Sequence, residues 1–280
     1  MPLSSDYINI NSIPGSLDLM NKMFGRVIPS KILISSIQSF SKMKIKDSLK
    51  ILYDLFQTYN KSTFSEQDRA ITRLNQLKVH KLLDPITSHG DLYDYADIGG
   101  GSGYIAEEIS KHLMLESALI IEKKDGWFDS CMTTQSSFVD YLYVDESTSG
   151  GVFDILPDSS LSLITCFQAF HHMSCDELND ILKQCKRVLK TNGKLLIREH
   201  DTTGQNMNNL IDLEHILYEN VIEKVTDPNA LKFEEYAGNY KSRFDWTKLL
   251  KSYGFRLSKN INPSEFKNNP TRYFYALFTK

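Results

Sequence analysis

The chain has 280 residues, of which 41% are hydrophobic and 24% charged; this excludes a disordered chain and leaves room for one large or two small cores without disulfide staples. No apolar run approaches the roughly 18 residues a spanning helix needs, and the opening MPLSSDYINI lacks the basic-then-apolar pattern of a secretory leader. The net charge of −3 conceals an acidic middle: residues 1–90 carry 12 Lys+Arg against 7 Asp+Glu, residues 91–223 carry 9 against 23, and residues 224–280 carry 11 against 5.

The first 90 residues read as helices. Apolar residues recur at spacings of three and four over 32–40 and 48–59, and again over 65–83, where Ser65 with Asp68 resembles a capping box. Asp84–Pro85 and Ser88–His89–Gly90 break the pattern. From residue 91 short apolar strands alternate with helices: strands at 93–98, 117–121, 138–144, 161–167 and 194–198, helices at 104–115 and 176–189. Lys190–Thr191–Asn192–Gly193 reads as the C-cap turn of the second of these helices. Helices at 208–224 and 246–253 follow, and strands at 255–258 and 272–278 close the chain as a hairpin. Such alternation predicts a parallel sheet covered by helices. Cys131, Cys166, Cys175 and Cys185 form no CxxC pair, so reduced thiols in a cytoplasmic compartment are expected.

Asp97–Ile98–Gly99–Gly100–Gly101–Ser102–Gly103 follows a strand and opens a helix. The glycines allow a tight turn and a close approach of backbone to ligand. A dinucleotide fingerprint asks for glycine or alanine where Tyr104 stands, which argues against hydride chemistry. The pattern D-x-G-x-G-x-G resembles motif I of class I S-adenosylmethionine-dependent methyltransferases. Glu122 ends the next strand, where an acidic side chain accepts hydrogen bonds from a ribose. Residues 161–173, LSLITCFQAFHHM, are similar to the fourth strand and loop of ubiquinone-biosynthesis-type methyltransferases, and 185–199, CKRVLKTNGKLLIRE, to the R-V-L-K-x-x-G stretch of that family. The resemblance spans about residues 90–200. A softer one links the Ile-Arg-Glu-His-Asp run to methyltransferases of large cytoplasmic DNA viruses, in keeping with the A/T-rich codon bias that abundant Asn, Ile, Lys, Ser and Tyr imply.

This resemblance implies a Rossmann-like α/β fold: a seven-stranded, mostly parallel sheet with an antiparallel last strand over 91–280, and a helical N-terminal extension or lid over 1–90. It implies S-adenosylmethionine as cofactor, held by Asp97, Gly99, Gly101, Gly103, Glu122, Phe167 and Gln168. Asp154, with Asp145 as the alternative, would meet the adenine. Candidates for proton removal are His171 after the fourth strand, Glu199 and His200 after the fifth, and His215 downstream, where Asp212, His215 and Tyr218 share a helix face. His200, Asp201 and His215 have metal-ligand chemistry, but nothing fixes their geometry and no metal is assigned.

Three acceptor readings compete. RNA, including a viral mRNA cap, is the leading expectation: the basic flanks, with Tyr236, Tyr240 and the cations of 236–243, suit it. Against ribose 2′-O transfer, Gln168 and Arg198 stand where a Lys-Asp-Lys-Glu set would place Asp and Lys. The 161–199 stretch suits a small-molecule acceptor, with the N-terminal helices as a lid. A scaffold or stimulatory subunit that keeps the fold without turnover is the third reading.

Overall fold

A computed structural model describes residues 10–60, 66–86, 94–115, 118–123, 136–144, 153, 155–223 and 238–280. Its helices are α1 Ser16–Phe24, α2 Ser30–Ser39, α3 Ile45–Tyr59, α4 Glu66–Val79, α5 Tyr104–Leu113, α6 Cys175–Val188, α7 Gln205–Leu217 and α8 Arg243–Ser252. Its strands are β1 Tyr95–Ile98, β2 Ala118–Lys123, β3 Val139–Val144, β4 Leu161–Phe167, β5 Leu189–His200, β6 Arg256–Ile261 and β7 Tyr273–Thr279. They form one seven-stranded sheet in the order β3-β2-β1-β4-β5-β7-β6. The neighbours from β3 through β5 pair in parallel, and β6 pairs antiparallel with β7. This is the Rossmann-like arrangement expected. The order reverses between β1 and β4, and ligands of such sheets bind beyond the carboxyl ends of the strands at that switch point.

The chain forms two compact units interleaved in sequence. One comprises Phe64–Glu199, Arg243–Asn262 and Phe274–Lys280; the other comprises Met1–Thr63, His200–Ser242 and Pro263–Tyr273. The compact units therefore part at places other than residue 90.

In the sheet unit, side chains alternate between two faces. One face is apolar: Ala96 and Ile98, Ile164 and Cys166, and Leu195 and Ile197 pack with Leu178 and Leu182 of α6 and Trp246 and Leu250 of α8. Each such side chain, fully buried, stabilises by about 1.5–3 kcal/mol before entropy is counted. The opposite face is more polar. It carries Tyr95, Asp97 and Thr165, and the α4 residue Gln76 accepts a hydrogen bond from the Tyr275 hydroxyl at 3.0 Å. α6 starts where Ser174 and Glu177 bond each other's backbone N–H in a capping box. The turn expected over 190–193 is absent: α6 ends at Val188, Leu189 is already extended, and β5 begins there. Gly193 does not take the left-handed cap; Asn192, at φ 65°, is the positive-φ residue of that stretch.

The second unit is built from amphipathic helices. Leu19 and Phe24 of α1, Leu33 and Ile37 of α2, and Leu49, Leu52 and Phe56 of α3 join Leu213 and Leu217 of α7 in one apolar cluster. The expected helix over 208–224 starts earlier, at Gln205, and from Tyr218 to Glu223 it widens into a π-helical turn. The capping-box residue Ser65 lies outside the described residues.

Candidate functional site

The glycine loop sits at the carboxyl end of β1, as the spacing predicts. Gly99, Gly101 and Gly103 all have positive φ, and the first two differ in what surrounds them. Gly99 has φ 67°, and a Cβ on it would stand 2.4 Å from the Cβ of Ala169. Gly101 has φ 54°, yet a Cβ there would meet nothing within 4 Å. The loop therefore presses on the β4 loop at one glycine and faces open space at the other. Gly103 supplies the N-cap of α5.

Two side chains clamp Gly101. Its N–H donates to Glu122 Oε2 at 2.8 Å, and its carbonyl accepts from the Tyr141 hydroxyl at 3.1 Å. Glu122 Oε1 also accepts the Lys123 N–H at 3.0 Å. Glu122 is half-buried at the end of β2, and a carboxylate there is the kind of acceptor that meets hydroxyl donors such as a ribose diol. Tyr141 was not visible as a loop brace in the sequence, because its role depends on β3 lying beside β2.

Asp97 lies beneath the loop and is 1% exposed. The Tyr95 hydroxyl donates to Thr165 Oγ1, which donates to Asp97 Oδ1. Asp97 Oδ2 has no hydrogen-bond partner among the described residues, and it lies 2.8 Å from where a Cβ on Gly100 would stand. Burial pushes the Asp97 carboxyl up to about 7, while the Thr165 bond and Arg73 pull it down and Glu122 pushes it up. An orphaned buried oxygen beside an open glycine loop, with the Glu122 carboxylate at its edge, fits S-adenosylmethionine. These residues would hold the cofactor, whose sulfonium would supply an electrophilic methyl group.

Gln168 follows β4 in the left-handed region, at φ 60°, and its N–H donates to the Arg198 carbonyl at 2.7 Å. It is half-buried and borders the loop segment with Ala169. Phe167 points to the α4 side, where its ring meets Tyr275 edge-on at 6.0 Å between centroids. Asp154 and Asp145 lie outside the described residues.

The four candidates for proton removal form two pairs, one in each compact unit. In the sheet unit, His171 Nδ1–H donates to Glu199 Oε2 at 2.6 Å, and Glu199 Oε1 accepts the Phe170 N–H at 3.1 Å. His171 is 1% and Glu199 0% exposed. Glu199 thus fastens the end of β5 to the turn that follows β4. This pair is built to position a loop.

In the other unit, His200 Nδ1–H donates to the Thr271 carbonyl and His215 Nδ1–H to the Ile211 carbonyl, each at 2.8 Å. The backbone carbonyls thus fix Nδ1 as the protonated nitrogen of each ring. The rings stand edge to face, 5.9 Å apart. The Tyr240 hydroxyl donates to Asp212 Oδ1 at 2.8 Å, and the Tyr240 ring stacks 6.3 Å from His215. Burial raises the Asp212 carboxyl to about 6, against the pull of the Tyr240 bond. Asp201 pairs with Arg272 at 2.9 Å. So Asp212 and His215 do share a face, as expected, but Tyr240 is engaged with both and is not free to stack on a base. Tyr236 lies outside the described residues.

Sequence reasoning missed Arg73. It sits on α4 with its guanidinium 5.6 Å from the centroid of the Phe167 ring, and Arg198 lies 5.9 Å from that of Tyr275. Arg73 is one of several cations on an amphipathic helix, and no local signal marks it.

Residues 96–197, from β1 to β5, match the family model Methyltransf_11, described as a methyltransferase domain. No curated protein matches the chain. Among solved structures, the chain is similar to the PH0226 protein of Pyrococcus horikoshii, at 17% identity over 81% of this chain and 97% of that one, with a TM-score of 0.49. It is similar to the putative methyltransferase solved with the Trm112 methyltransferase activator of Haloferax volcanii, at 14% identity over 78% and 99%, with a TM-score of 0.47. It is also similar to the 1,6-didemethyltoxoflavin-N1-methyltransferase of Burkholderia thailandensis, solved with S-adenosylhomocysteine, at 12% identity over 84% and 89%, with a TM-score of 0.47.

Proposed function

We propose that this chain, an S-adenosylmethionine-dependent methyltransferase of class I fold, methylates a small molecule at a hydroxyl or amine that must lose a proton. The observation that carries the acceptor reading is the enclosed polar cluster of His200, Asp212, His215 and Tyr240. Asp212 is 3% and His200 1% exposed, which suits a compact polar ligand better than an open nucleic-acid surface. His200 ends β5, and ligands of open α/β sheets bind beyond the carboxyl ends of the strands. In this reading Asp97, the glycine loop, Glu122 and Gln168 bind the cofactor. His200 or His215 accepts the proton, a contribution of about 10²–10⁴ in rate. His171 and Glu199 hold the β4 loop in place.

The RNA reading keeps one support. Arg26, Lys31, Lys44, Lys46 and Lys50 are exposed on and around α1 to α3. They belong to the basic N-terminal flank of residues 1–90.

The test supplies the protein with S-adenosylmethionine labelled in its methyl group. One reaction offers an ultrafiltered small-molecule extract, the other capped and uncapped RNA. Label in the small-molecule fraction supports the proposal. Label in RNA, with binding that weakens steeply as salt rises, replaces it with the nucleic-acid reading. Cofactor binding with label in neither fraction would also count against it and favour a scaffold or a subunit needing its partner.

A further inference from the structure

α7 carries two stripes. Leu210, Leu213 and Leu217 join the apolar cluster of the helical unit. Asn208, Asp212 and His215 follow one another at spacings of four and three, so they form a polar stripe on the other side of the helix. A polar stripe on a helix ordinarily meets water. Here Asp212 is 3% exposed, and Asn208 Oδ1 is buried with no hydrogen-bond partner among the described residues. Over His215 the stripe is closed by the His200 and Tyr240 rings, at 5.9 and 6.3 Å between centroids.

Asp212 is also short of partners. Its Oδ1 accepts from the Tyr240 hydroxyl at 2.8 Å, and among the described residues no hydrogen bond reaches its Oδ2 and no ion pair reaches the group. Two cations of the same unit are spent elsewhere: Lys22 pairs with Glu214 at 2.6 Å, and Arg272 with Asp201 at 2.9 Å. Burial raises the Asp212 carboxyl only to about 6, so it is ionised at neutral pH. A buried carboxylate without a counter-ion is costly to hold, and so is a buried acceptor without a donor. Asn208 and Asp212 set these two costs one helical turn apart. Both groups call for hydrogen-bond donors, and Asp212 calls for positive charge as well.

We propose that Asn208 and Asp212 bind a basic nitrogen of the methyl acceptor, which makes the acceptor a small amine. The inference rests on the small-molecule reading of this cluster and narrows it. An ammonium group brings several N–H donors, enough for both oxygens, and its charge pairs with Asp212. A neutral alcohol brings a donor without the charge. A carboxylate or phosphate ester brings like charge to Asp212 and is rejected on that ground.

The test divides a deproteinised small-molecule extract by ion exchange into basic, neutral and acidic fractions. Each fraction is given to the protein with S-adenosylmethionine, and the S-adenosylhomocysteine formed is measured. Turnover should follow the basic fraction. At limiting acceptor, Asp212→Asn should lower that turnover about 10- to 100-fold and Asn208→Leu about 3- to 10-fold. Asn208→Asp keeps an acceptor oxygen and should retain the preference for the basic fraction. Calorimetric titration with S-adenosylhomocysteine, unchanged within twofold, identifies the variants that are folded. Turnover confined to the neutral or acidic fraction would overturn the amine and leave the small-molecule reading standing, a result that needs no variant. Full turnover of the basic fraction by both Asp212→Asn and Asn208→Leu would also overturn the proposal, since the amine would then be held elsewhere. Turnover with none of the three fractions would bring down the small-molecule reading itself, and the proposal with it.

Discussion

Gly99 and Gly101 look alike in sequence and have opposite surroundings. A methyl group on Gly99 would meet Ala169 at 2.4 Å, whereas one on Gly101 would project into open space. Both positions also carry the cost of a left-handed backbone, about 1–2 kcal/mol for a non-glycine residue. Gly99→Ala should therefore lower stability by more than that, because the β4 loop must shift as well. Gly101→Ala should cost about 1–2 kcal/mol and yet weaken S-adenosylmethionine binding by tenfold or more, since in the proposed cofactor site the new methyl group would project toward the ligand. Thermal unfolding and calorimetric titration of the two variants check this contrast; equal effects on binding and stability at both positions would refute it. The sequence reveals that the loop is rich in glycine, but not which glycine faces the protein and which faces open space. That difference is set by Ala169, some 70 residues away in the chain. The same holds for Tyr141, whose hydroxyl reaches Gly101 only because β3 pairs with β2. Glu122 was legible because its place at a strand end depends on local spacing alone.

Elements were legible where their pattern was local. β4 is an unbroken buried run from Leu161 to Phe167, and its seven-residue length behind Pro157–Asp158–Ser159 decides for a strand over a helix. The stretch after α6 misled, because Asn192–Gly193 has the composition of a cap. Pairing of Leu161 with Leu189 across the sheet draws that stretch into β5 instead, so tertiary pairing overrides turn propensity. The far end of β5 makes the complementary point. Glu199 reads as one member of a charged run, but both its oxygens are spent on the loop after β4. Glu199→Ala leaves the Phe170 N–H and the His171 ring buried without their acceptor, a loss of about 3–5 kcal/mol. Glu199→Gln keeps one acceptor oxygen and should cost less. If the pair only positions the loop, neither His171→Asn nor Glu199→Gln should move the acidic limb of the pH–rate profile. His215→Asn or His200→Asn should remove that limb. A profile that loses its acidic limb with His171→Asn would make His171 the base. At the start of α6, Ser174→Ala breaks the capping box and should cost about 1 kcal/mol, readable as a lower urea midpoint.

At the scale of the whole molecule, two carboxyl groups set opposite slopes of stability against pH. Asp97, in the sheet unit, is raised from 3.8 to about 7. Its folded form holds the proton more tightly than the unfolded chain, so its contribution is full below about pH 4 and is lost as pH rises toward 7. Glu214, on α7 in the other unit, goes the other way. Burial would raise it, but Lys22 at 2.6 Å, the His200 charge and a Thr271 bond outweigh burial and hold it at about 2. Its contribution is full above the ordinary glutamate value of 4.5 and is lost as pH falls toward 2. At about 1.4 kcal/mol per pKa unit, each term is worth a few kcal/mol at most. Together they place the optimum from these two groups near pH 4–5, below the neutral range in which most enzymes are most stable. Urea unfolding from pH 3 to 8 should show it. Asp97→Asn should flatten the neutral side and leave the acid side alone, while Lys22→Met should steepen the loss less on the acid side and lower stability at neutral pH. Bound cofactor should also flatten the neutral side, if a ligand donor meets the orphaned Asp97 oxygen and makes the ionised form acceptable. A neutral limb that stays steep in saturating S-adenosylhomocysteine would separate Asp97 from the ligand and confine it to supporting the loop from beneath.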